Sequence, residues 1–199
     1  MLRLVAALFV SAQTLAATPG PAAPPSGLSR DAADALDVKL EAIDKRQKNG
    51  RTARPETVEI SESELNSYVG LKVKMPEGVT DVAVHLDRER VAATALVDLE
   101  KVQTKPASGS WNPMSLLGGR VAVSVRGKLV NQDDGFASIE FEEIKLGALA
   151  LPASALEQIV LSATKTAENP LGLDILSPFR LPYSMRRVRL QPGRAFLDF

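Results

Sequence analysis

Between residues 79 and 149, apolar and polar positions alternate with a period of two in four successive runs. The first carries Val82, Val84 and Leu86, and the second Val91, Ala93, Ala95, Val97 and Leu99. The third carries Val121, Val123 and Val125, and the fourth Ile139 and Phe141. Such alternation predicts antiparallel strands with one face buried and the other wet. Asp87-Arg88-Glu89-Arg90 connects the first pair. Asp133-Asp134-Gly135 connects the second, with glycine accepting the positive φ of a tight hairpin. A long loop over 101–119 separates the two hairpins.

The flanks follow the helical period instead. Ala33, Leu36, Leu40 and Ile43 form one stripe, which predicts a helix over 29–48, capped by Ser29 and stopped by Asn49-Gly50. A short strand over 56–60 runs into Ser61-Glu62-Ser63-Glu64, a capping box. The helix it opens buries Leu65, Tyr68 and Val69 and should end near Gly70, after which 76–78 turns the chain into the sheet. A strand ends at 148–152, and a further amphipathic helix presents Leu156, Ile159, Val160 and Ala163 before Asn169-Pro170 terminates it. A last hairpin pairs 185–190 with 194–199 across Gln191-Pro192-Gly193. Together these elements predict an α+β fold, an antiparallel β-meander of about six or seven strands on two or three helices.

Composition narrows the function. Lys+Arg and Asp+Glu both number 24, and aromatic residues make up 5% of the chain. Neither a bulk basic field nor a stacking platform for nucleic acid is present. The chain has no cysteine and one histidine, which removes disulfides, thiolate chemistry and sites needing two imidazoles. No metal or other cofactor is implied. Arg3, the apolar run 4–10 and the small residues of 11–17 describe a secretory signal over 1–17, cleaved after Ala16 or Ala17. The apolar run is shorter than the roughly 20 residues a spanning helix needs. A Pro/Ala-rich linker over 18–28 follows, then a single domain over 29–199 in the periplasm or outside the cell.

No residue set predicts catalysis. His85 lies between Val84 and Leu86 and so projects to the wet face, where a lone imidazole is ordinary. Glu140 and Glu142 share a strand face about 7 Å apart, a spacing glycosidases use, but it is equally the solubilising pattern of an exposed face. Ser61, Ser63 and Ser154 stand at helix starts, without the Gly-x-Ser-x-Gly setting of a hydrolase. Gly118-Gly119 lacks the Lys-Ser/Thr of a phosphate loop.

Two features point to binding. Trp111, Met114, Leu116 and Leu117 lie in the long loop, which either folds back on the core or serves as a gate or membrane-contact tip of an apolar groove. Arg120, Arg126 and Lys128 share a strand face, and Arg186, Arg187 and Arg189 cluster near the last hairpin. Adjacent strands would make these a strip for anionic head groups, and glutamates across the hairpin would make them a balanced, solvated face. Ala93 and Ala95 leave room on the buried face for an acyl chain or for the stripe of Leu36, Leu40 and Ile43.

Three segments, in order, resemble the YpmS-like family of exported bacterial proteins over 57–199. They are Val58-Glu59-Ile60-Ser61-Glu62-Ser63-Glu64-Leu65-Asn66, then Ile144-Lys145-Leu146-Gly147-Ala148-Leu149-Ala150-Leu151-Pro152, then Leu181-Pro182 followed by Val188-Arg189-Leu190 and Pro192-Gly193. The resemblance implies kinship with tubular lipid-binding (TULIP/SMP-like) folds, in which a curved antiparallel sheet wraps a helix and leaves an apolar groove. It implies no enzymatic activity. Members typically begin with a membrane anchor, where this chain carries a short signal.

The resulting expectation is a non-enzymatic protein that holds or transfers a lipid or other amphiphile. Val84, Leu86, Val97, Leu99, Val123, Val125, Ile139 and Phe141 would line the groove. Trp111, Met114, Leu116 and Leu117 would gate it, and Arg120, Arg126 and Lys128 would meet the head group. A membrane surface or an envelope protein is the further partner expected. The alternative is a scaffold component of an envelope complex, joined through exposed sheet edges and the Trp111 loop.

Overall fold

The computed structural model describes residues 27–48, 56–98, 101, 119–163 and 174–199. The signal, residues 18–26 of the linker, Asn49-Gly50, Leu99, the 102–118 loop with Trp111, Met114, Leu116 and Leu117, and Asn169-Pro170 lie outside the described residues. So do the side chains of Ile159 and Ala163.

The fold is α+β, as the patterning predicts. Helix α1 spans Arg30–Lys48. Strand β1 (Thr57–Ser61) leads into α2 (Glu62–Lys72), and β2 (Val79–Asp87), β3 (Arg90–Asp98), β4 (Arg120–Asn131) and β5 (Phe136–Leu146) form the meander. The short β6 (Leu149–Ala150), helix α3 (Ala153–Ala163) and β7 (Phe179–Arg180) follow, and β8 (Arg187–Gln191) with β9 (Arg194–Asp198) makes the last hairpin. The strands do not form one meander. Strands β2 to β5 pair in sequence order, with β6 and β7 both on the free side of β5, while β1, β9 and β8 make a separate three-stranded sheet.

Local chemistry explains the helix boundaries. The Ser29 hydroxyl accepts the Ala32 N–H at 3.3 Å, and the Ser29 N–H donates to Ser67 Oγ at 3.1 Å, tying the start of α1 to α2. Ser61 Oγ accepts the Glu64 N–H and Glu64 Oε2 accepts the Ser61 N–H, the reciprocal bonds of a capping box. Helix α2 does not end at Gly70 but continues to Lys72. A Cβ at Gly70 would stand 2.7 Å from Leu28 Cδ1, the tip of an exposed side chain that can move aside.

Strand β2 is the edge of the larger sheet, and α2 closes it. Glu62 and Asn66 are four residues apart, so they project from one helical face. Asn66 is buried; its Nδ2 donates to the Val84 carbonyl at 2.8 Å and its Oδ1 accepts the Val84 N–H at 2.6 Å. Glu62 Oε2 accepts the Leu86 N–H at 2.7 Å, and the Gly193 N–H donates to the Leu86 carbonyl at 2.9 Å. Side chains and one turn thus replace a neighbouring strand. An edge filled in this way offers no template to another chain, which takes from the scaffold reading the edge at Val84 and Leu86.

The sheet has one continuous apolar face, since Val84, Ala93, Val125 and Ile144 are successive cross-strand partners. Two helical layers divide it. Leu36, Ile43, Leu65, Tyr68 and Val69 cover Val82, Val84, Leu86, Ala93, Ala95 and Val97. Leu156, Val160 and Ile175 cover Val121, Val125, Ile144 and Leu146, and Val123 touches both clusters. The room beside Ala93 and Ala95 is therefore taken by the helix stripe.

Replacing Asn66 by alanine leaves both Val84 backbone groups buried without partners, at a cost of about 3 kcal/mol. Urea denaturation should show a lower midpoint with an unchanged slope.

Candidate functional site

The predicted groove residues separate into two groups. Val84, Leu86, Val97 and Val125 are fully buried beneath helix side chains, so they line no open groove. Ile139 and Phe141 are partly exposed. Both face the apolar side because of a bulge in β5. Arg126 pairs with Glu143 but Gly127 pairs with Phe141, so Glu142 is the extra residue and the alternation changes phase there. Leu129 opposite Ile139, and Gly127 opposite Phe141, extend the same lane. A Cβ at Gly127 would stand 2.7 Å from Ile139 Cγ2, so the lane requires glycine at that point.

The predicted head-group cations also separate. Arg120 lies 3.9 Å from Asp98 and Arg126 lies 4.0 Å from Glu143, pairs on the solvated face of β4. Of the three, Lys128 lines a cleft formed by described residues. That site is an open cleft of about 1110 Å³ between the β2–β3 turn, the β4–β5 hairpin and the stretch from β7 into β8. It brings Lys128 together with Arg186, Arg187 and Arg189, as the strip reading anticipated, and adds Arg88 and Arg180, which that reading missed. Arg88 sits in a hairpin turn and Arg180 beside a proline-rich bend, so neither has a patterned neighbourhood. Only the pairing of β7 with β5 brings Arg180 to this place.

The cleft walls are joined by hydrogen bonds that also fill a sheet edge. Asn131 Nδ2 donates to the Val188 carbonyl, and Asn131 Oδ1 accepts the Val188 N–H, both at 2.8 Å. The Glu89 N–H donates to the Leu190 carbonyl at 3.3 Å, and the Leu129 N–H donates to the Glu89 carbonyl at 2.8 Å. Five described non-glycine residues have positive φ, and four of them, Glu89, Asp134, Tyr183 and Ser184, line or adjoin this cleft. Two adjacent left-handed residues, Tyr183 and Ser184, cost about 1–2 kcal/mol each. Burial of Leu181 and Met185 on either side, and the bond from the Leu181 N–H to the Gly135 carbonyl, hold them there.

The charge is uneven. Six cationic side chains, Arg88, Lys128, Arg180, Arg186, Arg187 and Arg189, face three anionic ones, Glu89, Asp133 and Asp134, for a net charge of three positive. Lys128 lies 3.5 Å from Glu89. Arg189 donates to Asp198 at 2.8 and 2.9 Å and lies over the Phe196 ring. Arg88, Arg180, Arg186 and Arg187 are exposed and form no close ion pair among the described residues, although Arg187 stands across from Asp198 and its charge helps to lower that carboxyl.

The remaining candidates are structural. The His85 side chain is 71% exposed, with Nδ1 at 3.1 Å from Glu62. Glu142 pairs with Arg90 and Glu140 is exposed opposite Lys128, so they form no enclosed carboxylate pair. No group of three or more metal-ligating side chains occurs among the described residues. No described helix is long and apolar enough to cross a membrane. No family model, curated protein or solved structure matches this chain.

Two outcomes follow for the cleft frame. Gly135 has φ +74°, and a Cβ there would meet the Met185 carbonyl at 2.6 Å, whereas Gly193, at φ +70°, faces open space. Gly193→Ala should lower stability by about 1 kcal/mol and Gly135→Ala by about twice that, read from thermal unfolding. Hydrogen bonds from Arg189, reinforced by the Thr57 hydroxyl, hold the Asp198 carboxyl below the ordinary range. A carboxyl depressed in the folded state stabilises the protein above its unfolded value, near 3.9, and that contribution fades as pH falls through the folded value. Asp198→Asn should flatten the stability-against-pH curve below about pH 4 in denaturation at a series of pH values.

Proposed function

We propose that this chain is an exported, non-enzymatic protein that holds or transfers a lipid or other amphiphile in the cell envelope, with the anionic head group in the basic cleft. The observation that carries the reading is the set of four exposed arginines around one cleft, none of them in a close ion pair among the described residues. Unpaired guanidiniums grouped at a concavity are an anion site in waiting, because each offers a planar fork of donors.

An apolar continuation supports an amphiphile over a simple salt. Leu129 lines the cleft and also packs on the core, and its cross-strand partner Ile139 and the nearby Phe141 are partly exposed. A chain lying along Leu129, Ile139 and Phe141 would gain about 0.8 kcal/mol per buried CH₂. Of the groove residues expected from sequence, Val123, Ile139 and Phe141 are the described ones that stay partly exposed, and Phe141 also packs against the Leu156–Val160 cluster. The secretory character of residues 1–17 and the resemblance to the exported YpmS-like family agree with an envelope setting.

Native mass spectrometry of the full chain purified from its own envelope, with organic extraction, tests the reading. A stoichiometric amphiphile with an anionic head group is the expected result. Bare protein that also gains nothing from added envelope lipids would make the scaffold role the better reading.

A further inference from the structure

Arg88, Arg180, Arg186 and Arg187 come from three separate stretches of chain and line one cleft, with Arg180 and Arg186 beside the β4–β5 hairpin and Arg88 at the β2–β3 turn. Elsewhere on the sheet cations sit beside carboxylates, Arg90 with Glu142, and Arg126 and Lys145 sharing Glu143. Here four guanidiniums stand outside any close ion pair, and with Arg189 neutralised by Asp198 the cleft keeps two net positive charges after Glu89, Asp133 and Asp134 are counted. A single carboxylate would leave half of that charge uncompensated, whereas a phosphomonoester carries about −1.5 to −2 at neutral pH and a diphosphate more. Phosphate oxygens also match the guanidinium fork in pairs. The described lining contains no aromatic side chain, so it offers no platform for stacked bases.

We infer that the cluster of Arg88, Arg180, Arg186 and Arg187 is a binding site for a phosphate group bearing more than one negative charge, a phosphomonoester or a diphosphate. This deepens the amphiphile reading by naming the head-group chemistry, and it rests on that reading only for the ligand's apolar part. Asn131 positions the site by holding β8 through Val188. It is a positioning residue, since it spends both amide groups on backbone.

The test combines two probes on the full chain. Calorimetric titration with inorganic pyrophosphate measures the phosphate site without a lipid. Flotation with vesicles of phosphatidylcholine plus phosphatidic acid, against phosphatidylserine vesicles of equal surface charge, measures the head group in place. The double reversal Arg186→Glu/Arg187→Glu should weaken pyrophosphate binding at least about 100-fold, since bonds to charged groups are the strong ones. Arg120→Glu/Arg126→Glu, on the solvated face of β4, should change it less than about threefold. All four positions are exposed, and circular dichroism confirms that each variant is folded.

Pyrophosphate should also displace the protein from phosphatidic acid vesicles. Pyrophosphate binding without any vesicle or lipid binding would support the phosphate site, assign it to a soluble phosphate compound and sink the amphiphile reading. Lipid binding that neither pyrophosphate nor the Arg186/Arg187 reversal disturbs would overturn the phosphate site and leave the amphiphile reading standing. Equal binding to both vesicle types, or tighter binding of a single-stranded oligonucleotide than of pyrophosphate, would also overturn it.

Discussion

One side-chain amide organises this molecule. Asn66 bonds both backbone groups of Val84 and so gives the edge strand β2 a neighbour that is not a strand. Glu62, one turn earlier, extends the match to Leu86, whose carbonyl is then taken by Gly193 in the β8–β9 turn. Helix, large sheet and small sheet therefore meet along three consecutive residues of β2. A buried amide forced into this place without its partners would be strongly unfavourable, which makes the register of α2 on β2 specific. Asn131 repeats the device at Val188, and the basic cleft lies beside that second joint.

The treatment of charge differs between surfaces. Along the solvated face of β4, cations stand opposite carboxylates in the strand register, Arg126 across from Glu143 and Lys128 across from Glu140. Such exposed pairs contribute little to stability, so they act chiefly to keep the face neutral and wet. In the cleft Arg88, Arg180 and Arg186 come from turns and short stretches with no carboxylate in register, and Arg187 and Arg189 on β8 share the single Asp198 of β9. Their mutual repulsion is softened by water, and the strained Tyr183-Ser184 bend that leads into Arg186 is held by buried neighbours. The fold thus carries both backbone strain and excess charge at one place, a combination that marks functional concavities more often than passive surface.

The amino-acid sequence made most of this fold legible. Capping at Ser61 and Glu64, the β2–β3 alternation and the Asp133-Asp134-Gly135 turn each follow from local chemistry and appear in the structure as read. The separate sheet was not legible, because pairing of β1 with β9 depends on residues far apart in the chain rather than on any pattern in either. The bulge at Glu142 was hidden for a related reason. Glu140, Glu142 and Glu143 read as one polar stretch, and nothing in it signals a change of phase. The cleft was half visible: Lys128, Arg186, Arg187 and Arg189 stood out as cations, while Arg88 and Arg180 needed the topology to acquire meaning.

The span between β1 and β9 has a kinetic meaning. Thr57 donates a hydrogen bond to Asp198 across 141 positions of sequence, while β2 to β5 are joined by near-neighbour hairpins or a single loop. Contacts of high sequence separation form late, because a large chain closure must precede them. The meander can therefore assemble while the small sheet is still open, with the backbone of β1 awaiting its partner. Closure by β9 brings Gly193 to Leu86 and Val188 to Asn131 in the same event. The cleft wall is thus a product of the final docking step, and a partly folded chain would hold its core without yet holding its anion site.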